Sequence, residues 1–225
     1  MEDAERDPSL AEVLGGRGGA IDATVPVVVF VAGYALGDAL GWLNPVAWAG
    51  GAAVLSAVAV AAIRVAAGRR PRAVVIGLLG VAVAALIAIH TGRAIDFFLV
   101  QIASNAASAL AWVVSIVIRW PLLGVVVGFA LGQRTRWRRD PHLMRGYQRA
   151  SWIWVLQYVV RLVVFLPLFA ADALFALGIA RTVLTWPLVA LCVALSWPAL
   201  KSALPPGHRG IRHPEEPRGA DSPMT

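Results

Sequence analysis

The chain has 225 residues, 59% of them hydrophobic and 15% charged, with a mean hydropathy of +0.71; a soluble domain of this size would be roughly 45–50% apolar and about 25% charged. The net charge of +7 would suit a nucleic-acid partner, but the basic residues flank apolar runs, as the positive-inside rule requires of a membrane protein, so no nucleic acid is expected. A single cysteine, Cys192, excludes an internal disulfide and a thiolate metal site.

The pattern predicts an all-α, polytopic transmembrane helical bundle with about six spanning helices, a short partial helix and an interfacial helix. Residues 1–19 are polar and rich in glycine (Gly15, Gly16, Gly18, Gly19), a composition for a disordered N-terminal tail or for a glycine loop packed under the membrane domain. The acidic start, MEDAERDPSL, lacks the basic region of a signal peptide, so the first apolar run is expected to stay in the mature protein. The membrane domain spans 20–201. Its first run, Ala23–Leu43, follows Asp22 as a plausible N-cap and has Pro26 in its first turn. The second run is Pro45–Ala67 and the third Ala73–His90, with Arg64, Arg69, Arg70 and Arg72 around the loop between them. The fourth, Phe97–Ile118, carries Gln101, Ser104, Asn105 and Ser108 and ends at Arg119-Trp120-Pro121.

A short run to Gly132 then meets the one long polar break, with Arg134, Arg136, Arg138, Arg139, Arg145 and Arg149. Asp140-Pro141 reads as an N-cap followed by proline at the first helical position, and residues 141–150 as an interfacial helix. Trp152 and Trp154 suit an aromatic belt. The next run is Ser151–Leu177, and Trp186-Pro187 precedes the last, Leu188–Leu200. Residues 202–225, rich in Pro, Gly and charge, read as a disordered tail.

Basic loops belong on the cytoplasmic side, yet three apolar runs separate residues 64–72 from 134–149. One run must therefore fail to cross. Pro121–Gln133 is the shortest, about 20 Å long at ~1.5 Å per residue against a core of ~30 Å. Both termini are then cytoplasmic. Three stretches also begin alike, Asn44-Pro45-Val46, Trp120-Pro121-Leu122 and Trp186-Pro187-Leu188. They suit either an internal repeat of the kind common in transporters or the simple habit of proline to start helices.

Ionisable groups inside a bilayer each cost roughly 2.5–3.5 kcal/mol at the helix centre, so each needs a reason. Arg161 lies ten residues past Ser151, near the midplane by that count. It suits either an ion pair with Asp38 or Asp172 that locks helices, or a site for an anion with Asn105 and its polar neighbours facing it. An outer cluster of His90, Arg93, Asp96 and Arg181 reads as a helix cap at Asp96 or as a polar gate. Asp22, Arg64 and Arg119 form an inner cluster. Topogenesis accounts for the arginines at 134–149, and anionic lipids are the alternative partner. The four histidines are scattered, so neither a metal nor a cofactor is expected. With no recognisable catalytic triad, an enzyme is not expected either. The function read from these features is a structural or interaction component of the cell envelope; the alternative is a small transporter or channel with its polar site at Arg161.

Several ordered motifs carry a family resemblance. These are Gly19-Ala20-Ile21-Asp22 through Pro26, Thr91-Gly92-Arg93 with Asp96-Phe97-Phe98-Leu99, Arg119-Trp120-Pro121-Leu122, Trp137-Arg138 with Asp140-Pro141, Tyr147, Trp152, Trp154, Arg161 with Pro167-Leu168, and Ala180-Arg181 with Trp186-Pro187-Leu188. Over about residues 14 to 201 the chain resembles an actinobacterial family of integral membrane proteins, domain of unknown function 3159. Val100 stands where that pattern has proline. The resemblance implies an actinobacterial inner-membrane protein and no mechanism. A more distant similarity, in size and hydropathy alone, is to intracellular septation protein A. A reporter fused at residue 140 is expected to show the activity of a cytoplasmic fusion; activity of an exported reporter there would overturn the topology.

Overall fold

A computed structural model of the protein describes residues 16–68, 71–133, 135–208, 210–212 and 214, with no side chains described at 16–23 and 71–74. Arg69, Arg70, Arg134, and most of both expected tails lie outside the described residues, as do the side chains of Asp22 and Arg72. Among the described residues there are seven α-helices and no strand. They are α1 (Gly16–Ala39), α2 (Pro45–Ala66), α3 (Pro71–Thr91), α4 (Leu99–Val117), α5 (Leu122–Ala130), α6 (Pro141–Ala170) and α7 (Leu174–Lys201), with 3-10 turns at Ala94–Phe98 and Arg136–Arg139. Pro45–Ala66, Ala94–Val117, Pro141–Ala170 and Leu174–Lys201 are long and apolar enough to cross a membrane; Thr24–Ala39 and Val75–Thr91 are apolar but shorter. The all-α class expected from the sequence is the one found.

Helix ends follow from backbone chemistry, because the last carbonyls of a helix need donors from beyond it. Four helices close with the same pair of hydrogen bonds around a left-handed residue, the Schellman closure. At α1 Trp42 N donates to Gly37 O and Gly41 N to Asp38 O, with Gly41 at φ +66. At α5 the pair is Gln133 N to Gly128 O and Gly132 N to Phe129 O. The ends of α4 and α6 use the same closure without glycine: Arg119 sits at φ +54 and Asp172 at φ +55. Left-handed backbone costs a non-glycine residue roughly 1–2 kcal/mol, so both positions hold some strain.

Asp172 places a boundary that the apolar runs conceal. The sequence suggests one run over Ser151–Leu177 and a later helix from Leu188. Instead α6 stops at Ala170, the chain turns at Ala171–Ala173 with Ala173 N on Leu168 O, and α7 starts at Leu174. Pro187 is consequently inside α7, so the likeness among three helix starts fails for Trp186-Pro187-Leu188. A proline inside a membrane helix is tolerated where neighbours re-satisfy the freed backbone. Nor is 141–150 a separate interfacial helix; it forms the first third of the 30-residue α6. At the other end, α1 is already helical at Gly16, so Asp22 is not an N-cap and Pro26 lies within the helix.

Two compact units divide the described chain. The first comprises the chain to Ile102 with Phe165–Val183. In it α1 packs on α2 and α2 on α3 through small residues. Ala49, Gly50, Ala53 and Ala57 of α2 are buried, as are Ala84, Ala85 and Ala88 of α3. In lipid no hydrophobic drive separates helix from solvent, so close backbone approach through small side chains supplies the contact. Phe97 stacks on Phe30 with centroids 4.0 Å apart, which seats the buried Ala94–Phe98 turn.

The second unit comprises Ala103–Val164 and the chain from Leu184. Its core is Trp137, Leu143, Tyr147 and Leu200, with Leu123, Val125, Met144, Leu204 and Ile211 packed around them. Trp137 meets Tyr147 edge to face at 5.3 Å and packs against α5 at Gly124, where an added Cβ would fall 2.8 Å from the indole. Gly124→Ala is therefore expected to cost about 1–3 kcal/mol, read as an earlier thermal unfolding midpoint in detergent. Gly51→Ala, with nothing within 4 Å of its Cβ position, is expected to cause no loss.

Candidate functional site

Three groups of polar residues stand out. The first is built on Asp140. Its Oδ1 accepts from His142 N at 2.9 Å and Leu143 N at 3.1 Å, the N-cap that Asp140-Pro141 announces in the sequence. Its Oδ2 takes a bond of 2.8 Å from His208 Nε2, and both side chains are only 1% exposed. His208 Nδ1 accepts from Gly210 N at 2.9 Å, which fixes Nε2 as the donor toward Asp140. Gln133 Nε2 donates to Ile211 O and Arg212 O. Residues 202–208 and 210–212, which composition assigns to a disordered tail, thus fold back as a strap over the start of α6, and Leu204 and Ile211 join the unit's core. No sequence signal marks His208, since its partner is 68 residues away.

Around this cap the exposed arginines Arg136, Arg138, Arg139, Arg145 and Arg149 face outward. Arg138 lies over the Trp120 ring at 3.8 Å, so the chain on either side of α5 meets again. Phe129 on α5 is 83% exposed.

The second group surrounds Arg161. This residue is 7% exposed, and its Nη2 donates to Gln157 Oε1 at 3.4 Å and to Thr185 O at 3.1 Å. Thr185 belongs to the turn of α7 that precedes Pro187. The Tyr158 ring lies 5.7 Å from the guanidinium carbon. Buried Nε has no partner. Asp38 and Asp172, the partners expected from the sequence, belong to the first compact unit and Arg161 to the second. Asp38 is exposed, Asp172 pairs elsewhere, and no carboxylate stands within ion-pair distance of Arg161 among the described residues. Asn105 is buried on α4, but the acceptors on Arg161 are Gln157 and a backbone carbonyl. Gln157 was legible in principle, four residues before Arg161 on one helix face. Near this group Trp154, expected in an aromatic belt, turns inward. It stacks on Trp112 at 5.4 Å and donates to Ser196 Oγ at 3.0 Å. Ser196 in turn donates to Cys192 O, and Cys192 Sγ to Ile153 O.

The third group is the outer cluster. Arg93 reaches buried Asp96 at 3.8 Å and exposed Asp172 at 3.5 Å, so it ties the Ala94–Phe98 turn to the turn after α6. Asp96 is the middle of that 3-10 turn and not the cap of α4. His90 is exposed and stands apart from the Arg93 pairs, and Arg181 is half-buried on α7. In the inner set, Arg64 is half-buried near the end of α2, and Arg119 is the left-handed closure of α4. No group of three or more His, Cys, Asp or Glu suited to a metal occurs among the described residues.

A family model described as "Protein of unknown function (DUF3159)" matches residues 14–207. The chain belongs to this family. No curated protein and no solved structure matches the chain. Many motifs that carried the resemblance are the same residues that build the cap: Trp120 under Arg138, Trp137 on Gly124, Asp140 at the start of α6, and Tyr147 in the core. Asp140→Ala is expected to cost about 1–3 kcal/mol, from the lost cap and the buried imidazole left without its acceptor. It should also speed proteolysis after Leu204 several-fold. His208→Ala should release the strap alike while α6 keeps its cap, and Asp140→Asn should keep the cap but weaken the strap.

Proposed function

We propose that the chain is a bacterial inner-membrane protein with six spanning helices and both termini in the cytoplasm, acting as a structural or interaction component of the cell envelope. Three contacts support the topology. Trp120 and Arg138 meet at 3.8 Å, and only α5 lies between them, which supports an α5 that does not cross. Arg93 and Asp172 meet at 3.5 Å, which requires an even number of crossings among α4, α5 and α6. His208 on Asp140 requires the same of α6 and α7. The nine residues of α5 reach only about 14 Å, so α5 is a re-entrant or interfacial piece. Arg136, Arg138, Arg139, Arg145 and Arg149 then face the cytoplasmic leaflet, where each adds about 1 kcal/mol of attraction to anionic lipids. Exposed Phe129 offers an apolar anchor beside them.

The observation that carries the structural reading is how the polar groups within the helices are used. Trp154, Ser196 and Cys192 bond across α6 and α7, and Arg161 bonds along α6 and across to α7. The wide groove between α1 and α7, about 440 Å³, is lined almost wholly by apolar side chains such as Val27, Val31, Phe175 and Ile179. Polar atoms stitch helices here, and the open surface suits lipid. A second reading, a small solute transporter with its site at Arg161, is favoured by one observation, the buried Nε without an acceptor.

Single cysteines at residues 92 and 173, introduced on a Cys192→Ser background, are expected to react with an impermeant maleimide from outside the cell. Cysteines at 138 and 207 should react only in inverted vesicles; labelling of 138 from outside would refute the topology. Purified protein in vesicles is expected to give no solute flux above protein-free controls. Flux that vanishes in Arg161→Gln would replace the structural reading with the second one.

A further inference from the structure

Arg161 is a buried cation whose partners are both neutral. A guanidinium stays protonated in a protein, and charges this deep are normally paired. Its Nη2 meets a carboxamide oxygen and a backbone carbonyl. Neither neutralises the charge, and the Tyr158 face at 5.7 Å only softens it. Nε, a donor on the same planar fork, is enclosed and bonded to nothing. Gln157, itself buried, turns its oxygen to Arg161. The site thus has one unmet donor, Nε, and one positive charge met only by neutral acceptors.

We propose that Arg161, through its unmet Nε donor, forms a buried binding site for a small monovalent inorganic anion of the halide class. Enclosure limits the size: Nε has no open surface, so a bulky organic anion would need the helices to part, and a single spherical ion demands the least displacement. The single positive charge of Arg161 selects the charge, because a dianion on it would leave a net negative charge buried. The site deepens the second reading, to which it lends a substrate class, and it stands without that reading if the ion is held and not moved.

The test uses the full-length protein purified in detergent with sodium gluconate as the only salt. Replacing gluconate by chloride or bromide at constant ionic strength is expected to raise the unfolding midpoint saturably, by a few degrees, because a ligand that binds only the folded state stabilises it. Arg161→Gln should abolish that rise, Arg161→Lys should retain part of it, and Arg138→Gln, on the outer surface, should leave it intact. Equal midpoints in chloride and gluconate for the wild type, or a chloride response that survives Arg161→Gln, would overturn the site. Should Arg161→Gln not fold, crystals of the wild type soaked in bromide decide: an anomalous peak in contact with the guanidinium upholds the proposal and its absence refutes it. Chloride stabilisation without chloride flux in vesicles keeps the site and removes the transport reading. Arg161-dependent flux of a cationic or neutral solute without chloride stabilisation does the reverse.

Discussion

A bilayer offers no water to an unbonded N–H or C=O, so every backbone polar group must find its partner within the protein. That constraint shapes this chain more than any single contact. It makes the apolar runs helical and concentrates polar side chains where helices begin, end or are interrupted. Asp140 caps α6. Helix C-termini close on left-handed residues, two of them the non-glycines Arg119 and Asp172, where strain is accepted to satisfy the last carbonyls. Thr185, in the turn before Pro187, lends its carbonyl to the buried guanidinium of Arg161.

The same constraint separates the polar residues into three levels with different roles. The Arg93–Asp96–Asp172 set joins two turns. The Trp154–Ser196–Cys192 chain and Arg161 join α6 to α7 in the apolar interior. Asp140, His208 and Gln133 gather the C-terminal strap, α5 and the arginine turn around Trp137. In the interior, buried Arg161 has only neutral acceptors and an unmet Nε among the described residues, and for that reason it carries the functional argument.

Much of this was legible from residue order. Asp140-Pro141 announced the cap because an N-cap is local. The brevity of 121–133 announced a short helix, and α5 has only nine residues, because length needs no coordinates. The boundary between α6 and α7 was hidden. Asp172 in a left-handed turn breaks the helix, whereas Pro187, the residue that looks like a break, does not. The strap was hidden too, since Pro, Gly and charge read as disorder until His208 is seen to find a buried carboxylate 68 residues away.

What the sequence determined by itself is the class and the family: long apolar stretches admit only helices in lipid, and the ordered motifs at Trp120, Trp137, Asp140 and Arg161 mark one family. What only the tertiary structure decided is who pairs with whom. Arg161 took Gln157 and a carbonyl where charge alone suggested Asp38 or Asp172, and Arg93 took Asp172. Charge fixes that a buried ion needs a partner, but the choice depends on which helix faces which, and that is set by packing between residues far apart in the chain.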